Sequence, residues 1–275
     1  MPALIGLTSS LVILLLIWIV LVAPSPRRRG VRPFLSARYA HRGLHGEGAA
    51  ENSLTAFRLA VEGGYGIELD VRVSADGEVV VCHDPTLLRV AGDARAVREL
   101  TCAQLAAVSL LGTADGVPTL AEVLTLVGGR VPLLIEIKED TSADCDVVPR
   151  LLPLLSSYEG PVMIESFNPL SLRRVRRAAP HLVRGLLCES FHRSPEHRSL
   201  SFRLLEGFFL NVLARPHFIA YNHRHRRALP FRLMRLFAPP TLAYTVTSAE
   251  EEAAARADGF DTVIFEGYLP KEETV

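Results

Sequence analysis

Ile67-Glu68-Leu69-Asp70-Val71 decides the fold, because it reads as a strand with hydrocarbon on one face and two acids on the other. In an extended strand alternate side chains share a face, so Glu68 and Asp70 point one way and Ile67, Leu69 and Val71 the other. Two carboxylates side by side in an apolar setting are costly unless a cation compensates them, and hard divalent ions take oxygen ligands. The same spacing recurs in Val131-Pro132-Leu133-Leu134-Ile135-Glu136-Ile137-Lys138, where the inward pair is an acid and a base. Glu136 reads as a third ligand, and Lys138 as a cation beside it that holds a phosphate oxygen. His41 closes Tyr39-Ala40 and His83 closes Glu78-Val79-Val80-Val81-Cys82, so each is expected at a strand end. Near neutral pH imidazole serves as base on one side of a reacting phosphorus and as acid on the other. A lone strand-end histidine is commonly structural. Three acids, a lysine and two histidines at these spacings point together to metal-assisted phosphodiester cleavage.

Outward from that strand the chain alternates strands and helices. Further strands are expected at Arg38 to Ala40, Val131 to Ile137, Val162 to Ser166, Val183 to Leu187, Phe218 to Tyr221, Thr241 to Val246 and Thr262 to Phe265. With the strand at Ile67 this gives eight, and the expected fold is a (β/α)8 barrel of parallel strands. After a Gly-rich turn at His45-Gly46-Glu47-Gly48, Asn52 or Ser53 caps a helix that runs to Glu62 and stops at Gly63-Gly64. A ninth strand, Glu78 to Cys82, follows Ser74-Ala75-Asp76-Gly77, a hairpin turn. It makes a small β-hairpin insertion that carries His83 over the acids. Catalytic groups of such barrels lie at the C-terminal strand ends, where His41, Asp70 and Lys138 fall.

These residues carry a resemblance. His41-Arg42-Gly43, Glu51-Asn52-Ser53-Leu54-Thr55-Ala56-Phe57, Glu68-Leu69-Asp70-Val71, Ser74-Ala75-Asp76-Gly77, His83-Asp84 and Glu136-Ile137-Lys138 resemble, in order, the signature of the glycerophosphodiester phosphodiesterase family. The resemblance spans about Arg38 to Leu269, densest in its first hundred residues. Glu165-Ser166-Phe167-Asn168-Pro169 and Ala243-Tyr244-Thr245-Val246 are also similar, although the family more often has Trp where Tyr244 stands. Val263-Ile264-Phe265-Glu266-Gly267 departs from the Thr-Asp-x-Pro ending common in the family. The resemblance implies Glu68, Asp70 and Glu136 as ligands of one divalent ion, Ca2+ or Mg2+, with His41 and His83 as acid and base; an alternative gives His83 to the metal. Arg42 and Lys138 are expected to bind the phosphate, and Glu51, Asn52 and Glu266 are further candidates. The implied products are glycerol 3-phosphate and an alcohol, an activity of lipid and glycerol metabolism; the spacing alone gives phosphodiester hydrolysis.

The rest of the chain bounds where this chemistry takes place. The 275 residues carry 30 basic and 30 acidic side chains and are 49% hydrophobic, enough for a large core and without a global field for nucleic acid. Cys82, Cys102, Cys145 and Cys188 form no C-x-x-C pair, which argues against a zinc knuckle or disulfide framework. Ala3 to Val22 is uncharged and almost wholly apolar, long enough for a bilayer core, and shows no clear basic start or small-residue cleavage point, a cleaved signal peptide being the alternative. It reads as an uncleaved single-pass anchor. Arg27-Arg28-Arg29 and Arg32 then place the catalytic domain on the cytoplasmic side. The expected organisation is a transmembrane anchor at 1–23, a basic, proline-containing extended linker at 24–36 and a phosphodiesterase barrel at 37–275.

A nearly all-apolar stretch, Leu200 to Leu213, and a basic one, Phe231-Arg232-Leu233-Met234-Arg235-Leu236-Phe237, follow strands at the same mouth. They read either as outer barrel helices or as surfaces that present the mouth to lipid. The expected partners are a glycerophosphodiester or lysophospholipid substrate and the bilayer, with no nucleic acid and no obligate protein partner. Alternatives keep the chemistry on a lysophospholipid (a lysophospholipase D type) or a membrane polyglycerophosphate. A non-catalytic headgroup-binding module is a third reading, one with no need for both histidines beside three acids.

Overall fold

The computed structural model describes residues 2–27, 29–139, 147–191 and 199–270, with side chains from Thr8 onward and without that of Arg29. Arg28 and Cys145 lie outside the described residues. Eight parallel strands close on themselves: β1 (Tyr39–Ala40), β2 (Gly66–Val73), β4 (Leu133–Ile137), β5 (Val162–Ser166), β6 (Val183–Cys188), β7 (Phe218–Asn222), β8 (Thr241–Val246) and β9 (Thr262–Phe265). The ring closes because β1 pairs with both β2 and β9. β3 (Val79–Val81) runs antiparallel on β2, joined by a turn in which Gly77 N–H donates to Ser74 O. The (β/α)8 barrel expected from the alternation is therefore the fold.

Side-chain alternation sorts the strands into two cores. Ile67, Leu69, Val71, Leu133, Ile135 and Ile137 face outward into the layer between barrel and helices. Leu134, Met163, Phe218, Ala220, Leu242 and Ile264 fill the barrel interior. Among the outer helices, Leu54–Glu62 starts at the Ser53 cap, whose hydroxyl accepts from Ala56 N–H. Pro169–Ala178 starts at an Asn168 cap and Ala249–Ala257 at a Ser248 cap.

Two segments differ from expectation. The stretch expected to be an extended linker contains a 3-10 helix, Arg29–Phe34. Residues three apart share a face in that geometry, and Val31 and Phe34 are both buried in the barrel interior cluster. Tyr39 OH donates to Phe34 O at 3.0 Å. Because this segment precedes β1, it closes the N-terminal mouth of the barrel. The insertion after β2 is also more than a hairpin. Its short helices, Leu88–Ala91 and Cys102–Ala106, build a small lobe in which Val80, Leu87, Val97, Leu100, Leu105 and Val117 form a separate core.

The N-terminal helix spans Pro2–Val22. Leu11 through Ile17 are each at least half exposed, on every side of the helix. Packing begins at Trp18, whose ring lies 5.6 Å from that of Phe237, and Val22 is buried. Asn211 Nδ2 donates to Val22 O at 2.7 Å and Arg215 Nη1 to Ala23 O at 2.9 Å. Among the described residues, which include this helix's side chains only from Thr8, no helix is long and apolar enough to cross a membrane.

The plug gives a stability test. Phe34→Ala removes a ring from a closed core and is expected to destabilise the barrel by about 3 kcal/mol in chemical denaturation. A value near zero would return this segment to the role of a linker.

Candidate active site

Register brings the acids together. Asp70 lies opposite Glu136 across the β2–β4 pair, and Glu136 opposite Glu165 across β4–β5. Glu68, Asp70 and Glu136 are buried, and each offers a carboxylate oxygen within 4.8 Å of the others. Lys138 Nζ lies 2.8 Å from Glu136 Oε1 and 3.1 Å from Asp70 Oδ1. Arg42 reaches the cluster twice: its backbone N–H donates to Glu68 Oε2 at 3.0 Å, and its Nε lies 3.5 Å from Asp70 Oδ2.

The turn after β1 makes that approach possible. Arg42 and Gly43 both take left-handed backbone angles, φ 55° and 83°. A Cβ on Gly43 would stand 2.9 Å from both Ala56 Cβ and the Phe57 ring, so the turn can lie on the first barrel helix only with glycine here. Asn52, also at φ 55°, ties the turn to β2: its N–H donates to Arg42 O and its Nδ2 to Asp70 Oδ2 at 2.8 Å. Strain at two non-glycine residues is retained where their polar groups hold the acids.

Both histidines carry a carboxylate on Nδ1: His41 with Glu266 at 2.8 Å and His83 with Asp84 at 2.7 Å. The contact of His83 is braced from the insertion lobe. Arg89 donates through Nε to Asp84 and through both terminal nitrogens to Glu51, which also accepts from Arg42. Arg72 holds the His83 carbonyl with two donors, at 2.9 and 2.7 Å. The ten residues singled out in the sequence thus meet at one mouth, each tied to another of them or to its brace.

Electrostatics divide the acids. Burial, with Asp70 and Glu136 nearby, pushes the Glu68 carboxyl far above its ordinary range. Burial likewise lifts Glu136, partly opposed by Lys138, to about 7. Asp70 goes the other way: burial is outweighed by Lys138, His83 and Arg42, which hold it ionised. Glu51 is held down at about 2, burial being outweighed by Arg89 and Arg42. Burial lowers His83, keeping its ring neutral near pH 7. Glu165, a buried fourth acid on β5, is raised by burial and by Glu68 and Glu136. Its Oε2 has no hydrogen-bond partner among the described residues. Fully ionised, Glu68, Asp70 and Glu136 carry one more charge than Lys138 and Arg42 offset, and their all-oxygen donors suit a hard divalent cation.

The family model for the glycerophosphoryl diester phosphodiesterase family matches residues 41–266. The chain belongs to this family. A glycerophosphodiester phosphodiesterase of Caldanaerobacter subterraneus is 35% identical over 186 residues, which cover 63% of this chain and 76% of that one. Among solved structures, the glycerophosphodiester phosphodiesterase of Thermotoga maritima superposes with a TM-score of 0.65 at 25% identity, covering 83% of this chain and 94% of that one. An Oleispira antarctica phosphodiesterase, in complex with the product sn-glycerol-3-phosphate, superposes with a TM-score of 0.71 at 22% identity, covering 86% and 94%. The chain is accordingly an enzyme of the phosphodiester hydrolase class.

Beside Glu136 and Lys138 the family site opens into a cleft of about 570 Å3, walled by Phe167, Asn168, Glu189, Phe191, Phe202 and Leu205. Two of these walls come from the apolar stretch expected as one helix. It is instead two short helices, Leu200–Glu206 and Asn211–Ala214, broken at Gly207 and at Phe208 with φ 59°. Phe208 turns inward toward Tyr221, so the stretch serves core and cleft rather than forming a continuous outer face. The basic stretch is a helix, Leu229–Met234, continued by a 3-10 turn, and Phe231 stacks on Tyr221 at 3.9 Å. Sequence alone does not assign roles to Glu165, Asp84 and Arg89. The position of Glu165 one register step from Glu136 was the available signal.

The raised acids predict a linked pH dependence. With Glu136 near 7 instead of its ordinary 4.5, the unliganded fold favours the protonated acid. Its stability should therefore fall as pH rises from about 4.5 to about 7. A divalent cation should restore that stability and release protons on binding at pH 6, measured as buffer-dependent heats in calorimetry. Binding without proton release at pH 6 would show that Glu136 is already ionised.

Proposed function

We propose that this chain hydrolyses glycerophosphodiesters to glycerol 3-phosphate and an alcohol at the mouth formed by β1, β2, β4 and β9. The observation that carries this reading is the buried Glu68, Asp70 and Glu136 set at the same mouth as two histidines that each rest on a carboxylate. Membership of the family, the name of the Caldanaerobacter relative and the product held by the Oleispira protein support it.

Glu68, Asp70 and Glu136 would hold one divalent ion, Ca2+ or Mg2+ by their all-oxygen donor set. When bound, that ion supplies Lewis-acid stabilisation of negative charge on the phosphate. Arg42 and Lys138 offset the remaining charge that develops at phosphorus. One histidine takes the proton of the nucleophile, water or a glycerol hydroxyl, and the other delivers a proton to the departing alkoxide. Carboxylates on the Nδ1 atoms fix the ring orientations and leave Nε2 for these transfers. Glu51 and Asn52 act by position, holding Arg42 and Asp70.

We also infer that the Pro2–Val22 helix is a single-span anchor. Its 21 residues extend about 31 Å, near the thickness of a bilayer core, and its exposed Leu11 to Ile17 side chains are all apolar. By the positive-inside rule, Arg27, Arg28, Arg29 and Arg32 in the sequence would put the barrel on the cytoplasmic side. The helix docks near Pro216 and the N-terminal plug, at the barrel end opposite the acids; Ser25 N–H donates to Pro216 O at 2.8 Å. A mouth turned away from the bilayer favours water-soluble glycerophosphodiesters over lysophospholipids.

The activity is tested on glycerophosphocholine, following glycerol 3-phosphate release. Chelation or Asp70→Ala is expected to cut turnover by at least about 10³-fold, and His83→Ala by about 10²–10⁴-fold. Turnover unchanged by chelation would sink the metal-assisted reading. For the anchor, Leu14→Arg is expected to move the protein from the carbonate-washed membrane fraction to the supernatant while turnover of glycerophosphocholine is retained. Full-length protein found in the supernatant without that substitution would remove the anchor.

A further inference from the structure

A second group of donors sits at the same mouth, outside the carboxylate trio. His41 and His45 follow β1 and Glu266 follows β9. Glu266 divides its oxygens between the two rings: Oε2 lies 2.8 Å from His41 Nδ1, and Oε1 lies 3.5 Å from His45 Nε2. One donor atom from each residue lies within 4.8 Å of the other two. The two imidazoles are not equivalent. His41 makes a hydrogen bond to Glu266, whereas the buried His45 Nε2 has no hydrogen-bond partner among the described residues. Protonated on Nδ1, the His45 ring keeps a lone pair on Nε2 for a ligand.

We propose that His41, His45 and Glu266 form a second cation site, for Zn2+ or a similar borderline transition metal, whose occupation inhibits the enzyme. Two imidazole nitrogens and one carboxylate, with a fourth position left for water, are a zinc donor set. The donors of a tetrahedral zinc lie about 3.3 Å apart, and one donor atom from each of the three residues already lies within 4.8 Å of the other two, a separation that small side-chain shifts can close. The trio of oxygens suits Ca2+ or Mg2+ instead, so donor chemistry separates the two sites. The ion would displace the proton shared by His41 Nδ1 and Glu266; from a neutral ring that proton moves to Nε2, and from an imidazolium it is released to solvent while Nε2 keeps its own. With metal on Nδ1 the single ring proton is on Nε2, and that nitrogen cannot accept another. The inhibitory half rests on the proposed acid–base role of His41; the binding half does not.

Co2+ titration of the full chain, followed by its visible absorption, reads the site directly. It is run on Glu68→Ala/Asp70→Ala, which lacks the trio, and on unsubstituted protein with the trio saturated by Ca2+, in case the double variant misfolds. One equivalent is expected in both, with affinity at least about 10-fold weaker once His45→Asn is added. No uptake, or uptake indifferent to His45→Asn, overturns the site. In turnover of glycerophosphocholine at saturating Mg2+, micromolar Zn2+ is expected to inhibit at least 10-fold, reversibly by a weak chelator, with His45→Asn resistant but as active as the parent without zinc. Uptake of Co2+ without inhibition by Zn2+ overturns the inhibitory half. If no glycerophosphodiester is turned over at all, the Co2+ titration still decides the site, so the two readings fail separately.

Discussion

Three carboxylates share one buried corner of a barrel, and the rest of the mouth is arranged around keeping them there. Two unit charges about 4 Å apart at an effective dielectric near 20 repel by about 4 kcal/mol, and three such pairs are comparable to the whole stability of a typical domain. The chain meets this repulsion in two ways. It sets Lys138 and Arg42 against Asp70, which stays ionised, and lets burial raise Glu68 and Glu136 so that protons sit on them when no cation does. The acids are thus already close enough for a common ion, and the cost of holding them together is met by the fold before any ligand arrives. Glu165, protonated below them, adds a polar floor without another full charge.

Holding Arg42 in this place constrains the backbone at two non-glycine residues, Arg42 and Asn52. The guanidinium must reach Asp70 and Glu51 while the Arg42 N–H faces Glu68, and an ordinary right-handed or extended residue does not aim both together. Left-handed angles at Arg42 and Asn52 meet the requirement, and the hydrogen bond from Asn52 N–H to Arg42 O locks one to the other. The insertion lobe then has a function that its sequence does not advertise. Its Arg89 clamps Glu51 and Asp84 together, so the supports of Arg42 and of His83 share one side chain. A small separate core under that lobe keeps Arg89 in place.

What was legible in the sequence follows from how local each signal is. The strands were readable because alternation is a property of neighbouring residues, and the site acids because Glu68, Asp70 and Glu136 lie on two such strands, with Lys138 just past the second. The Ser53 cap and the Asp76-Gly77 turn are equally local. Features set by distant packing were not legible. Val31 and Phe34 look like stray apolar residues in a proline and arginine segment until a barrel end stands open to receive them. The break at Gly207 and Phe208 depends on Tyr221 lying beneath, and the convergence of His45 with Glu266 joins residues more than two hundred apart. Hydropathy could mark Leu200 to Leu213 as apolar, but it could not say which side chains would turn to the core and which to the cleft.

The two ends of the barrel answer to different requirements, and the chain keeps them apart. At the N-terminal end, Val31 and Phe34 close the interior with hydrocarbon, and the first helix docks through Val22 and Ala23 carbonyls held by Asn211 and Arg215. Substitutions there act on stability. At the C-terminal end the strands finish in acids, histidines and strained turns, each of which works against stability and is tolerated for its chemistry. Between the two ends lies a layer of apolar side chains including Leu134, Met163 and Phe218, with Glu165 as its upper boundary. Because that layer is closed, a change at the plug or in the first helix reaches the acids only through the strands themselves. A chain built in this way can attach its base to another surface while its catalytic mouth remains unaltered, since the groups that hold the acids all come from the opposite end.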